Sequence, residues 1–190
     1  MPVKPQDVLN FWTNEVGEDR WFNGGPQIDA LITERWRDAW EAARRGEFES
    51  WEDSKEGALA LVLILDQFPR NMFRDHADAF ATDAQARATT QRAIDKGFDR
   101  ATDEKLRLFF YMPFMHSENI ADQDKSVALF AERIGMENTQ YFYALEHRAE
   151  IARFGRFPSR NHALGRQTTD DEREFLVLRA SKPAQGSAKS

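Results

Sequence analysis

Apolar residues along this chain recur at spacings of three and four, and alternation never persists for the length of a strand. The pattern predicts a short first helix from Asp7 to about Val16, with Leu9, Phe11 and Trp12 as its apolar residues. Trp21 and Phe22 fall in a loop closed by Gly24 and Gly25. Pro26 then suits the first turn of a long helix that ends at Arg45, before Gly46. Ile28, Leu31, Ile32, Trp36 and Ala39 or Trp40 form its apolar stripe. Two later segments, Gly57 to Gln67 and Leu106 to Met115, are apolar all round, the mark of helices buried at a domain's centre. Between them, Thr82 and Gln85 have capping-box spacing and Gly97 is a stop. Further helices are predicted over Asp122 to Ile134, Glu137 to Phe154 and Asp170 to Ala180, with Thr169 and Glu172 as a second capping box. The expected fold is all-α, built of antiparallel helical hairpins. One domain spans residues 1–180, and the small polar residues 181–190 are expected to be a disordered tail.

Two stretches echo each other: "LDQFPRN" (Leu65 to Asn71) and "RFGRFPSRN" (Arg153 to Asn161). Pro69 and Pro158 each lack an N–H and clash with the preceding turn, so a helix should stop or kink near Phe68 and again before Pro158. Helix ends leave carbonyls without partners, and Arg70, Asn71, Arg156, Arg160 and Asn161 could donate to them. The second apolar segment also ends in polar residues, "MHSEN", and Tyr143, His147 and Glu150 share one stripe of the next long helix.

Charges on central helices must be paired or bound to something. The candidate ligand-binding set is therefore Asp66, Gln67, Arg70, Asn71, His116, Glu118, His147, Arg153, Arg156, Arg160 and Asn161. One outcome is a closed internal ion-pair network, the mark of a scaffold. The preferred one is a cleft for an anionic small molecule or a peptide end, since arginine presents a planar fork of donors to carboxylate or phosphate. A hydrolase using the same cleft is the alternative, with Glu118 or Asp66 beside His116 activating water and Arg70 or Arg156 holding an oxyanion.

Composition narrows the choices. The chain has 190 residues, net charge −6 and no cysteine, so disulfides and thiolate chemistry are excluded and a general nucleic-acid surface is disfavoured. The longest apolar run, "ALALVLIL", is too short to span a bilayer. No signal peptide is read at the start, and a cytoplasmic location is expected. His116 and Glu118 are two apart, His147 and Glu150 make one isolated pair, and no His-x-x-x-His occurs; no metal or cofactor is assigned. Phe154 and Phe157, between arginines, read as core anchors rather than a base-stacking surface. Homo-oligomers are left open.

The stretches "LALVLILDQFPRNMFR", "AFATDAQA", "FFYMPFMHSE", "ADQ" and "IARFGRFPSRNHALGR" resemble a bacterial family of uncharacterised proteins, domain-of-unknown-function family 924. The likeness runs from Val8 to Leu176 and implies a tetratricopeptide-like α-α superhelix, with no activity to carry over. Its pattern falls on Asp66 to Asn71, on Tyr111, Pro113, His116, Ser117 and Glu118, on Asp122 and Gln123, and on Arg153, Gly155 to Pro158, Arg160, Asn161, Gly165 and Arg166. Ser159 stands where a histidine is common, which weakens any scheme needing a histidine in that turn. Asp75-His76 and Phe114 also depart from the pattern, with no evident consequence.

Overall fold

A computed structural model describes residues 2–181, which form helices and turns and, among the described residues, no strand. The chain starts with α1 (Pro5–Asn10), which widens into a π turn over Phe11–Val16. After the Trp21–Phe22 loop comes α2 (Gly25–Arg44), with Pro26 in its first turn. Its buried residues, Ile28, Ile32, Trp36, Ala39, Trp40 and Ala43, follow the expected stripe, while Leu31 is only partly buried.

The central rod is α3 (Lys55–Val62), capped by the Ser54 hydroxyl and buried at every position from Gly57 onward. Gly57 permits the close approach of the preceding turn: a Cβ there would lie 2.1 Å from the Trp51 carbonyl oxygen. Of the two outcomes expected near Phe68, a stop or a kink, the helix does not stop. The rod widens into a π turn over Leu63–Gln67 and continues as α4 (Phe68–Met72), with Pro69 in the new first turn. The i→i+5 bond from the Phe68 amide to the Leu63 carbonyl resets the register. The Leu65 carbonyl, which an ordinary residue 69 would have bonded, accepts the Thr82 hydroxyl at 2.6 Å instead. Thr82 is thereby drawn away from its expected role. It precedes α5 (Asp83–Asp95) but makes no side-chain cap, and Gln85 reaches to the Arg44 carbonyl.

The second apolar segment is also not one helix. It divides into α6 (Glu104–Arg107), a 3-10 turn (Leu108–Phe110) and α7 (Met112–Met115), with Pro113 at the start of α7. Two longer helices follow, α8 (Ile120–Arg133) and α9 (Thr139–Phe154), capped by the side chains of Asn119 and Asn138. Gly155, in the left-handed conformation at φ 69°, ends α9. The last helix, α10 (Asp170–Ala180), begins with the predicted Thr169–Glu172 capping box. Ser181 is its C-cap; the rest of the expected tail, from residue 182, lies outside the described residues.

Neighbouring helices pack in pairs: α8 on α9, α2 on α4, and α3 against both α1 and α5. The core centres on aromatic side chains. Phe68 touches the rings of Phe11, Trp12 and Trp36, and Trp12 meets Trp21 and Phe109. No described helix is long and apolar enough to cross a membrane.

Candidate functional site

The π turn places Asp66 on the inner side of the central rod, where it is fully buried. Its carboxylate meets His116, at the end of α7, with Nδ1 at 2.9 and 3.0 Å from the two oxygens. The Gln67 amide donates to it at 2.5 Å, and the Arg70 guanidinium lies 3.2 Å away. Burial works against a charge at Asp66, but Arg70 and His116 outweigh it and hold the carboxyl below the usual carboxylate range. An ionised carboxylate only accepts, so His116 Nδ1 must carry the proton. Burial and the Arg70 cation depress the His116 pKa, leaving the ring neutral. The lone pair therefore sits on Nε2, which has no hydrogen-bond partner among the described residues. The His116 side chain is 12% exposed, so this lone pair lies near the surface of an otherwise buried cluster.

His147 comes alongside from α9, its ring centroid 6.4 Å from that of His116 and 5.4 Å from that of Phe157. Its Nδ1 donates to the Tyr143 carbonyl at 2.7 Å. Burial, with His116 adding to it, lowers the His147 pKa to about 4. Two neutral imidazoles thus stand side by side with their tautomers fixed by protein acceptors.

The arginines complete the cluster. Arg70 forks onto Asp83 at 3.0 and 3.1 Å and also donates to the Asp66 carbonyl. Arg160 lies between the Phe80 and Phe157 rings, 4.5 Å from each centroid. It donates to the His116 carbonyl at 2.8 Å and stands 3.5 Å from Asp83. Burial and the neighbouring Arg70 lower its pKa to about 10, so it stays protonated at neutral pH. Two cations, Arg70 and Arg160, face two carboxylates, Asp66 and Asp83, and the inner cluster is electrically balanced.

A second polar knot adjoins the first. Glu118 accepts the Phe157 amide and both arms of Arg166. Burial opposes its charge, yet Arg166 and that amide keep its carboxyl below the ordinary range. Asn161 donates to Glu172 and accepts from Arg166. Arg156 forks onto Glu172 at 2.6 and 2.9 Å, which holds the Glu172 carboxyl low. The structure thus brings Asp66, Gln67, Arg70, His116, His147 and Arg160 together, and sets Glu118, Arg156 and Asn161 in the adjoining knot. It does not bring in the other two. Asn71 donates to Asp29 on another face, and Arg153 stacks on Phe154 and Phe175.

A family model described as "Bacterial protein of unknown function (DUF924)" matches residues 8–179. The chain belongs to the DUF924 family. It is similar to a solved structure of a protein of unknown function from Agrobacterium tumefaciens, at 43% identity and a TM-score of 0.86. That match covers 92% of this chain and 97% of the other. No curated protein matches.

In this DUF924 chain three partners of the site carry little signal in the sequence. Asp83 is one acid in the first turn of α5, and Glu172 stands out only as the second half of a capping box. Phe80 lies in a 3-10 turn (Ala77–Phe80) without periodicity to mark it. The hint available was the stretch "AFATDAQA", which contains Phe80 and Asp83.

Proposed function

We propose that the protein binds a small molecule or peptide end bearing an acidic group, with His116 Nε2 as the contact that receives the acid's proton. The observation that carries this reading is the Asp66–His116 pair: Asp66 fixes the proton on Nδ1 and leaves Nε2, on a side chain 12% exposed, as a base. The arginines cannot supply spare positive charge, because Asp66 and Asp83 already balance them. An acid arriving with its proton adds no net charge to the cluster. It leaves an imidazolium facing a carboxylate or phosphate, close to Arg160.

The linkage has a definite sign. The His116 pKa is depressed in the free protein and rises when an anion sits against Nε2. Between those two values each binding event takes up one proton, and affinity falls as pH rises through that window. Calorimetry with acetate, succinate, phosphate and an acetylated dipeptide, in two buffers of different ionisation enthalpy, reads this uptake directly. His116→Asn keeps a donor for Asp66 and deletes the base, and is expected to weaken binding about tenfold or more. Equal affinity in the variant, or binding without proton uptake, would contradict the reading.

A second reading has its own support: each arginine of the cluster has a protein carboxylate, as in a scaffold that needs no ligand. In that case none of the probes binds. The hydrolase alternative has less support, since both carboxylates named as its base are engaged, Glu118 by Arg166 and the Phe157 amide and Asp66 by Arg70, Gln67 and His116.

A further inference from the structure

A hollow of about 440 Å³ opens between the start of α2 and the end of α4, apart from the polar cluster described above. Its size is that of a small-molecule site. One wall is apolar, made by Trp21, Phe22 and Pro26; the other is polar, made by Asp29, Asn71 and Arg74.

The apolar wall is anchored. Trp21 donates its indole N–H to the Trp12 carbonyl at 2.8 Å and stacks on the Trp12 ring. Phe22 lies over Phe109 with centroids 6.2 Å apart, yet remains 48% exposed, a large aromatic surface left in water. The polar wall is equally set. Asp29 accepts Nε and Nη2 of Arg74 at 2.6 and 2.8 Å, and the Asn71 amide at 2.7 Å. Both oxygens of Asp29 are thus occupied, so the hollow offers no carboxylate to a cation. The Arg74 fork, by contrast, is held by one edge only. Its Nη1 has no partner among the described residues, and the side chain is 58% exposed. A guanidinium fixed this way presents its remaining edge without the entropy loss of ordering a free side chain.

We propose that this hollow binds a small aromatic carboxylate, its ring against Phe22 and Trp21 and its carboxylate on the free edge of Arg74. Neither wall suffices alone. Asp29 already offsets the charge of Arg74, so a bare anion gains little there, and a neutral ring leaves Nη1 to water. Only a molecule with both features uses the two walls together.

The test is a titration of the full chain with phenylacetate, followed by amide and indole N–H resonances, with phenylacetamide as the neutral control. Saturable shifts are expected at the Trp21 indole and at Gly25, with phenylacetamide about tenfold weaker, the loss of one charge-assisted bond. Arg74→Gln should lower phenylacetate affinity to that of the amide, and Phe22→Ala should weaken both ligands. Both side chains are substantially exposed, and unchanged resonances elsewhere confirm that the variants fold. Phenylacetate is also an acid that the His116 site could take, so the two are told apart by where the shifts fall: His116→Asn should leave those at the Trp21 indole and Gly25 unaltered and remove any that arise around His116. Absence of saturable shifts up to the solubility limit, equal affinity for acid and amide, or an Arg74→Gln variant that binds phenylacetate as the wild type does would overturn the proposal.

Discussion

Asp66→Ala is expected to lower stability by about 3–5 kcal/mol, the usual cost of removing one partner from a buried ion pair. Asp66 is fully buried and takes donors from His116 and Gln67, with the Arg70 guanidinium beside it. Without it, Arg70 and Arg160 share only Asp83, and the cluster carries an uncompensated positive charge. Urea unfolding at neutral pH gives the difference, and Asp66→Asn separates charge from shape. Asp170→Asn, at a side chain 99% exposed, is the control and should change stability by less than about 0.5 kcal/mol. The pH dependence follows from the lowered folded-state pKa of Asp66. Its contribution is complete above the ordinary carboxylate range and is lost as pH falls through the lower folded value. Asp66→Ala should therefore flatten the acid limb of the stability curve. A loss under about 1 kcal/mol would mean that the cluster does not depend on this carboxylate.

Phe68→Ala is expected to cost about 3–5 kcal/mol as well, through a cavity rather than a charge. The Phe68 side chain is wholly buried, and its ring centroid lies 6.0, 5.6 and 5.8 Å from those of Phe11, Trp12 and Trp36. It also follows the π turn that aims Asp66 inward. Loss of its packing should loosen that turn, so the variant should show both a lower urea midpoint and weaker probe binding at His116. Lower stability with unaltered binding would show that the core and the site are mechanically independent.

Much of this architecture is legible in the chain. The α2 stripe, the all-round apolarity of α3, the Thr169–Glu172 box and the end of α9 at Phe154 each follow from local rules and hold in the fold. What local rules miss is rescue from a distance. Pro69 is expected to stop or kink a helix; the rod instead passes through a π turn and goes on, and the Leu65 carbonyl is served by the Thr82 hydroxyl. The same contact removes Thr82 from the capping box that its spacing suggests. The 3-10 break over Leu108–Phe110 is invisible to a hydropathy pattern that is apolar at every position.

The site was legible as a set of residue types more than as a geometry. Asp66 and His116 are 50 residues apart, and nothing in either stretch specifies that they touch. Six of the eleven candidate residues meet because the π turn rotates Asp66 inward while α7 ends beside it. Arg153 had the same composition signal as Arg160 yet stacks on Phe154 and Phe175, since one turn of helix decides which way a side chain points. Arg156 and Glu118 read as an anion clamp and a general base, but each has its own protein partner in Glu172 and Arg166.

The most direct measurement is a pH titration of the His116 ring nitrogens by long-range nitrogen–proton correlation spectroscopy on the wild-type protein. The ring is expected to be neutral at pH 7, protonated at Nδ1 with a bare Nε2, and to titrate below free histidine. A proton on Nε2, or a ring still positively charged at neutral pH, would leave the site without its base.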